Sequence, residues 1–91
     1  SLALDIDKNF LYFGDKENFR IRKIDLNTGI VSTIAGNGTE GFSGDNGTAL
    51  SALISETSGL CLGFSNSVLF FSDRDNNRLR KIDLTTSIIS T

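Results

Sequence analysis

The residue types best suited to chemistry in this chain occur twice, in the pattern Asp-x-x-Asn-x-Arg. The two copies consist of Asp15, Asn18 and Arg20, and of Asp73, Asn76 and Arg78. A carboxylate at one strand end and a guanidinium at the next strand start can form a bidentate ion pair, and an asparagine between them can satisfy backbone groups of the loop. Because a unique active site does not need two copies, the pattern favours structural loop pairs. A ring of such loops that contacts a ligand is the alternative.

A glycine-rich segment separates the two copies. Residues 36–47 hold five of the nine glycines, and side-chain oxygens of the kind that Ca²⁺ prefers occur on Asn37, Glu40, Asp45 and Asn46. The EF-hand spacing is absent, and no lysine or helix start follows that would complete a phosphate cradle. We therefore expect an ordered loop anchored by Phe42 and by backbone N–H bonds to Asp45, and we predict no metal and no cofactor. Residues 49–54 are expected to form a short helical turn or an extended run.

Two Asn-Gly-Thr tripeptides lie in the same segment and begin at Asn37 and Asn46. Acceptor sites for N-linked glycan must lie on an accessible loop of a secreted protein. Asn37 and Asn46 are therefore predicted glycosylation sites on the condition that a eukaryote secretes the protein.

Two basic runs, residues 20–23 and 78–81, raise the question of nucleic-acid binding. Acidic residues lie beside them in the sequence, and the formal net charge of the chain is −2. Proteins that bind RNA through their phosphates usually present a net basic patch. We therefore expect the bases to be neutralised locally and nucleic acid to be an unlikely partner. No apolar run approaches the roughly 20 residues that span a bilayer.

The elements that position these residues are revealed by an internal repeat. Residues 1–33 and 59–91 align without a gap at an offset of 58, and sixteen of the 33 columns are identical. Such self-similarity indicates one structural unit per copy. The only cysteine, Cys61, aligns with Ala3, which predicts a buried small side chain. Asp5 aligns with Gly63, so this carboxylate is not repeated and does not make a site.

Each copy contains four short runs rich in β-branched and aromatic residues, separated by Asx and Gly turns, which predicts four hairpin-linked strands. The predicted strands are residues 2–6, 10–13, 20–24 and 30–34, and 60–64, 68–71, 78–82 and 88–90. The second run of each copy is apolar on both faces, so each sheet is expected to be covered on both sides. A propeller meets this demand by placing each sheet between two others. A two-sheet sandwich is the structural alternative.

The motifs resemble the NHL repeat. The resemblance lies in residues 11–15, 18–25 and 28–29, again in 70–73 and 76–83, and in the spacer AGNGTEGFSGDNGTA at 35–49. Two departures from the family pattern are Phe19 and Asn77 at the position of the family-naming histidine, and a spacer without proline. The resemblance implies an all-β fold with NHL blades at 1–34 and 59–91 joined by a Gly-rich loop at 35–58. These two four-stranded antiparallel blades would form an excerpt of a larger ring, or copies of the chain would assemble into one.

The resemblance also sets the functional expectation. We expect a protein-interaction or scaffolding module whose partners are other blades and a further protein, compatible with a surface or extracellular location. The chain has no histidine, so neither a Ser-His-Asp triad nor a His-ligated metal site can be built from it alone, and no enzymatic role is predicted. The alternatives are a lyase-like or lactonase-like propeller enzyme whose catalytic residues lie outside this chain, and an RNA-binding NHL domain.

Overall fold

The structure, a computed structural model, describes residues 2–73 and 78–91. The first sheet consists of β1 (Leu2–Asp5), β2 (Phe10–Asp15), β3 (Arg20–Asp25) and β4 (Ile30–Ala35). The second sheet consists of β5 (Thr57–Gly63), β6 (Val68–Asp73), β7 (Arg78–Asp83) and β8 (Ile88–Ser90). Both are antiparallel meanders in chain order, so the predicted all-β fold with two four-stranded antiparallel sheets is confirmed. Single 3₁₀ turns cover Lys16–Asn18 and Ala49–Ser51, and within the described ranges no helix is long and apolar enough to cross a membrane.

The two sheets repeat one conformation down to individual hydrogen bonds. The amide of Leu26 donates to the Asn9 carbonyl at 2.8 Å, and at the aligned positions Leu84 donates to Ser67 at 2.9 Å. The turns after β3 and β7 each close with a 2.7 Å bond from the fourth residue back to the strand-end aspartate. The sequence repeat is therefore a structural repeat.

Side chains alternate between the two faces of each sheet. The face of the first sheet that we call the Tyr12 face carries the buried residues Ala3, Asp5, Tyr12 and Ile21. The opposite side, the Leu11 face, carries Leu2, Leu4, Leu11, Phe13, Asp15, Arg22, Ile24 and Val31.

The second sheet has two corresponding faces. The Leu69 face, which aligns with the Leu11 face in the repeat, carries Leu60, Leu62, Leu69, Phe71, Asp73, Arg80, Ile82 and Ile89. The Phe70 face, which aligns with the Tyr12 face, carries Cys61, Val68, Phe70, Leu79, Lys81 and Ile88.

The Tyr12 face packs against the Leu69 face, and the core lies between them. Buried side chains of both faces form one cluster, and the spacer inserts Ala49, Ala52 and Ile54 into it. The interface is therefore head-to-tail, because one kind of face on the first sheet meets the other kind on the second. The Leu11 face and the Phe70 face remain on the outside.

The spacer also covers the edge of the second sheet. Asn46 donates its amide to the Ile89 carbonyl at 2.6 Å, and the Ile89 amide donates to Gly47 at 3.0 Å. Farther along, Ala49 donates to Ser87 at 2.8 Å. Since an uncovered edge strand offers unpaired backbone groups to other chains, these bonds protect β8 and fix the spacer on the sheet.

The close approach of the two sheets can be tested by a substitution at Gly14. It lies on the Tyr12 face of β2, and a Cβ at this position would overlap the Thr57 hydroxyl at the start of β5. We expect Gly14→Ala to lower the free energy of unfolding by about 1–3 kcal/mol, the usual effect of overpacking, as measured by urea denaturation. Gly59→Ala is the control, because a Cβ there meets nothing closer than the Ser72 Oγ at 3.4 Å. Equal effects of the two substitutions would contradict the close packing.

Candidate functional site

The guanidinium of Arg80, on the Leu69 face of β7, donates four hydrogen bonds. Its side chain is 0% exposed, as is that of Asp73 at the end of β6. Arg80 Nη1 donates to Asp73 Oδ2 at 3.1 Å and to the Leu53 carbonyl at 2.9 Å. Arg80 Nη2 donates to the Ser43 carbonyl at 2.8 Å and to Asp45 Oδ1 at 3.1 Å. A buried charge is tolerated only when it is paired and hydrogen-bonded in this way.

The spacer supplies three of these four hydrogen bonds, two of them from a short turn. Gly44 has a φ of +90°, a left-handed conformation that glycine adopts without a steric penalty, and it separates Ser43 from Asp45. The guanidinium carbons of Arg78 and Arg80 lie 4.3 and 4.6 Å from the centre of the Phe42 ring, within the range of cation–π attraction. We call residues 42–45, Phe-Ser-Gly-Asp, the clamp turn.

Asp73 fastens the other end of the spacer. Its Oδ1 accepts hydrogen bonds from the Ser55 amide at 2.9 Å and from the Ser55 hydroxyl. The Asp73 carboxylate therefore joins β6, β7 and the end of the spacer just ahead of β5. Together, Arg80 and Asp73 hold both arms of the spacer against the second sheet, so the role of this cluster is structural.

Asp45 is held in its charged form. Partial burial alone would raise its pKa, but hydrogen bonds from the Thr91 hydroxyl and from Arg80, with the positive charges of Arg80 and Arg78, bring the pKa below its usual value. This corrects the expectation that Asp45 bonds backbone N–H groups, since its two oxygens accept from the side chains of Arg80 and Thr91. Phe42 anchors the turn as expected, but as a platform for two cations.

The first sheet contains the equivalent ion pair, Asp15–Arg22, but no segment of the spacer covers it. Arg22 Nη2 lies 3.2 Å from Asp15 Oδ2, and the two side chains are 26% and 28% exposed. Arg22 Nε donates to the same oxygen at 3.2 Å, and Nη1 donates to the Thr33 hydroxyl at 2.9 Å. The identical residue pair is thus fully buried in one sheet and accessible to water in the other.

The structure corrects the predicted pairing within each Asp-x-x-Asn-x-Arg motif. Asp15 lies directly opposite Arg20 in the register, yet it pairs with Arg22, and Asp73 likewise pairs with Arg80. A long guanidinium side chain can reach the diagonal neighbour about 7–8 Å away as well as the residue directly opposite, and in both sheets the diagonal arginine makes the ion pair. The partner arginine lies two residues farther along the strand than predicted, and the repeat does not distinguish it, because Arg20 and Arg78 are identical in the two copies as well.

The other motif residues have separate roles. Asn18 donates to both carboxylate oxygens of Asp15 at 3.0 Å, so it bonds a side chain and not the loop backbone groups that were predicted. Arg20 donates to the Asn37 carbonyl at 3.1 Å and so fastens the start of the spacer. Arg78 lies over the Phe42 ring. Asn76 lies outside the described residues.

The remaining candidates are placed as follows. Asn37 and Asn46 are both exposed, and their glycosylation stays a prediction. The described residues contain no group of three or more His, Cys, Asp or Glu side chains that could hold a metal ion. Cys61 is exposed, so the prediction of a buried side chain is wrong, because the Phe70 face on which it lies has no cover while the aligned Ala3 does.

Asp5 is a structural residue on the Tyr12 face. Its side chain is buried, and Oδ1 accepts from the Lys8 amide at 3.1 Å and from the Asn66 side chain at 3.2 Å. The second bond crosses from one sheet to the other. Burial, with the negative charge of Asp5 added, raises the pKa of Tyr12.

A groove of about 330 Å³ opens on the Phe70 face. Apolar side chains of Phe64, Val68 and Ile88 line it, together with the charged groups of Lys81 and Asp83. Phe64 is 72% exposed, and on the same face Leu79 is 63% exposed. Exposed apolar surface of this kind makes the groove a candidate binding surface.

The difference between the two arginines can be measured directly. Arg80→Gln leaves buried Asp73 without its counter-charge and should lower the free energy of unfolding by about 3–5 kcal/mol. Arg22→Gln removes a partly exposed pair and should cost no more than about 1 kcal/mol. Urea denaturation of both variants gives the comparison, and Arg80→Lys, which keeps the charge but loses the two-armed geometry, serves if Arg80→Gln does not fold. Equal losses at the two positions would contradict the burial difference.

Asp45 predicts a specific dependence of stability on pH. Its pKa is lower in the folded state than the unfolded value of about 3.9, so its stabilisation is complete above that value and is lost as the pH falls through the folded pKa. We expect Asp45→Asn to be less stable than the parent chain near neutral pH and to lose less stability on acidification, as followed by urea unfolding at a series of pH values. Thr91→Val should reproduce part of this flattening. Parallel pH curves for parent and Asp45→Asn would refute the assignment.

Comparisons with known proteins agree with this architecture. No protein-family model matches the chain. The chain is 31% identical over 87 residues to NHL repeat-containing protein 2 of Homo sapiens and to that of Bos taurus, a match that covers 94% of the chain and 12% of each relative. It is 39% identical over 74 residues to Protein SUPPRESSOR OF QUENCHING 1, chloroplastic, of Arabidopsis thaliana, which covers 81% of the chain and 7% of that protein.

The chain therefore spans a small part of the curated relatives it matches. The aligned region contains both copies of the strand pattern and the spacer between them. With two sheets of one repeated conformation, packed face to face and joined by a glycine-rich clamp, the chain belongs to the NHL-repeat family, and its sheets are blades of a propeller-type domain.

Proposed function

We propose that this chain works as a protein-interaction and scaffolding module, in which a pair of NHL blades binds other proteins through its open sheet faces. The observation that supports the proposal is the contrast between the two aligned faces. On the Leu69 face, Leu69 and Ile89 are 0% exposed, and Phe71 is 1% exposed. On the aligned Leu11 face, Leu2 is 65%, Leu4 49% and Val31 51% exposed.

The two open faces have complementary chemistry. Inside the chain, a face of the Tyr12 class already packs on a face of the Leu69 class, and the outer Phe70 and Leu11 faces are the repeat equivalents of that pair. Burial of their aliphatic side chains would gain about 25 cal/mol per Å² of apolar surface removed from water. A protein surface with the same sequence of strands and apolar positions is the partner that fits both faces best.

The polar residues support binding better than catalysis. The carboxylates and guanidiniums of the repeated motif are engaged with one another and with the spacer, where they stabilise the blades. The apolar groove on the Phe70 face combines a hydrophobic floor with Lys81 and Asp83 at its rim, which is the composition of a protein-binding surface.

Sedimentation velocity over a range of chain concentrations tests the proposal. Since the open faces complement each other, we expect the sedimentation coefficient to rise with concentration, and Leu4→Lys to abolish this rise by placing a charge on the Leu11 face. Leu50→Lys is the matched control, because Leu50 is also 49% exposed but lies on the spacer. A chain that stays monomeric throughout, or that loses association equally with both substitutions, would overturn the proposed function.

A further inference from the structure

A cavity of about 200 Å³ lies along the seam where the Tyr12 face meets the Leu69 face, and we call it the seam cavity. Phe10 and Lys23 of the first sheet line it from one side, and Ile82 of β7 lines it from the other. Its lining comes from the two sheets and the spacer of this chain, so the cavity is formed whatever stacks on the two outer faces. A ligand bound here would therefore give the chain a function separate from the proposed protein binding.

The lining of the seam cavity carries an excess of positive charge. Among the described residues, its charged groups are Lys8 and Lys23, and no carboxylate lines it. Within the same described ranges, neither lysine side chain forms an ion pair. Lys23 Nζ lies 4.3 Å from the centre of the Phe10 ring. Because an ammonium group has three N–H donors, both lysines retain donors for the oxygens of an anion.

The repeat shows that this charge is not a general feature of the sheets. Lys8 aligns with Asn66, so the second sheet has no lysine at the corresponding turn. Lys23 aligns with Lys81, but the groove that Lys81 lines also contains Asp83, whose negative charge compensates it. Residues that maintain the blade are expected in both copies, whereas a ligand site needs only one. The uncompensated pair of lysines therefore indicates a ligand and not a requirement of the fold.

The other walls of the seam cavity are largely apolar. They are formed by Phe10, Ile34, Leu50, Ile82 and Leu84. Apolar walls with a few polar groups that fix orientation are typical of small-molecule sites. Since a cavity of about 150 Å³ can hold one benzene ring, the seam cavity, at about 200 Å³, has room for one ring and a small polar group.

We propose that the seam cavity binds a small aromatic carboxylate, whose ring lies between the apolar walls and whose carboxylate is held by Lys8 and Lys23. Lys8 is exposed and Lys23 is partly buried, so the carboxylate lies at the mouth of the cavity. The ring lies deeper, against Ile82, which is 1% exposed. The apolar walls accept any ring of this size, and the charge-assisted hydrogen bonds from the two lysines select the anion.

Titration of the isotope-labelled chain with sodium benzoate, followed by amide NMR spectra, tests the proposal. We expect saturable shifts at residues that line the seam cavity, with a Kd of about 1 mM for a ligand of this size. Benzyl alcohol has the ring without the charge, and inorganic phosphate has charge without the ring. Each should bind at least about fivefold more weakly than benzoate, because each lacks one of the two interactions.

Three lysine variants identify the groups that hold the carboxylate, and their amide spectra report directly whether each variant is folded. Lys23→Gln should weaken benzoate binding by about tenfold, the loss of one hydrogen bond between charged groups. Lys8→Gln should weaken it by about threefold, since Lys8 is exposed and its interaction is screened by water. Lys81→Gln is the matched control, because Lys81 occupies the aligned position on the Phe70 face, and it should leave the affinity unchanged.

The proposal is overturned if no saturable shifts occur at the seam cavity, or if benzyl alcohol or phosphate binds there as tightly as benzoate. Equal weakening by Lys23→Gln and Lys81→Gln would overturn it as well. These results are independent of the sedimentation experiment, which concerns the outer faces. A failure of benzoate binding therefore leaves the proposed protein-interaction function in place, and a monomeric chain that binds benzoate leaves the seam cavity in place.

Discussion

The guanidinium of Arg80 places a full positive charge on β7 where water is excluded. The spacer folds over this charge and supplies hydrogen-bond acceptors to it. An ion pair with Asp73 alone would leave several donors without acceptors, and unpaired donors inside a protein are costly. Acceptors for the two Nη groups come from Ser43, Asp45 and Leu53, which lie on both arms of the spacer, while Arg80 Nε has no hydrogen-bond partner among the described residues. The hydrogen bonds of the Arg80 guanidinium therefore fix the path of the spacer, and the spacer in turn keeps water away from the guanidinium.

The same dependence explains why two nearly identical sheets have such different surfaces. Arg22 has similar neighbours along its strand to those of Arg80, with Ile21 in place of Leu79. It makes the same diagonal contact to an aspartate, yet its side chain is 26% exposed. Neither propensity nor local geometry accounts for the difference, because both are shared. Within the residues described here, a spacer and a sheet precede the second sheet and cover Arg80, so the burial of this arginine depends on the neighbouring unit as much as on its own sheet.

The sequence predicted the strands well because turn residues bracket each apolar run. All eight strands were expected, and the observed bounds differ from the predicted ones by a few residues at most, as at β2, which extends to Asp15, and at β5, which begins at Thr57. The short turn at Ala49–Ser51 fell within the expected segment. Side-chain contacts between strands were harder to predict than the strands themselves. Spacing in the sequence does not decide whether Arg20 or Arg22 pairs with Asp15, because both lie within reach of its carboxylate across the sheet.

Prediction failed where burial depends on a second unit. Cys61 was expected inside because Ala3 is a small apolar residue at the aligned position, but alignment transfers residue type and not surroundings. Asp45 was expected to bond its own loop, as aspartates in turns often do, and it bonds side chains of β7 and of the chain end instead. No local pattern encodes a contact between residues that lie 35 or more positions apart.

The unlike character of the two stacked faces has a geometric consequence. A contact between two different surfaces of the same unit is heterologous. Each unit therefore binds its two neighbours through two different faces, and a row of units has a direction. Such a row does not stop by itself: it ends when its rotation brings the last unit back to the first, or it grows into a fibre. The rotation angle between successive sheets is therefore constrained by the whole assembly and not by any single sheet. Only a narrow range of angles converts an open-ended stack into a closed ring.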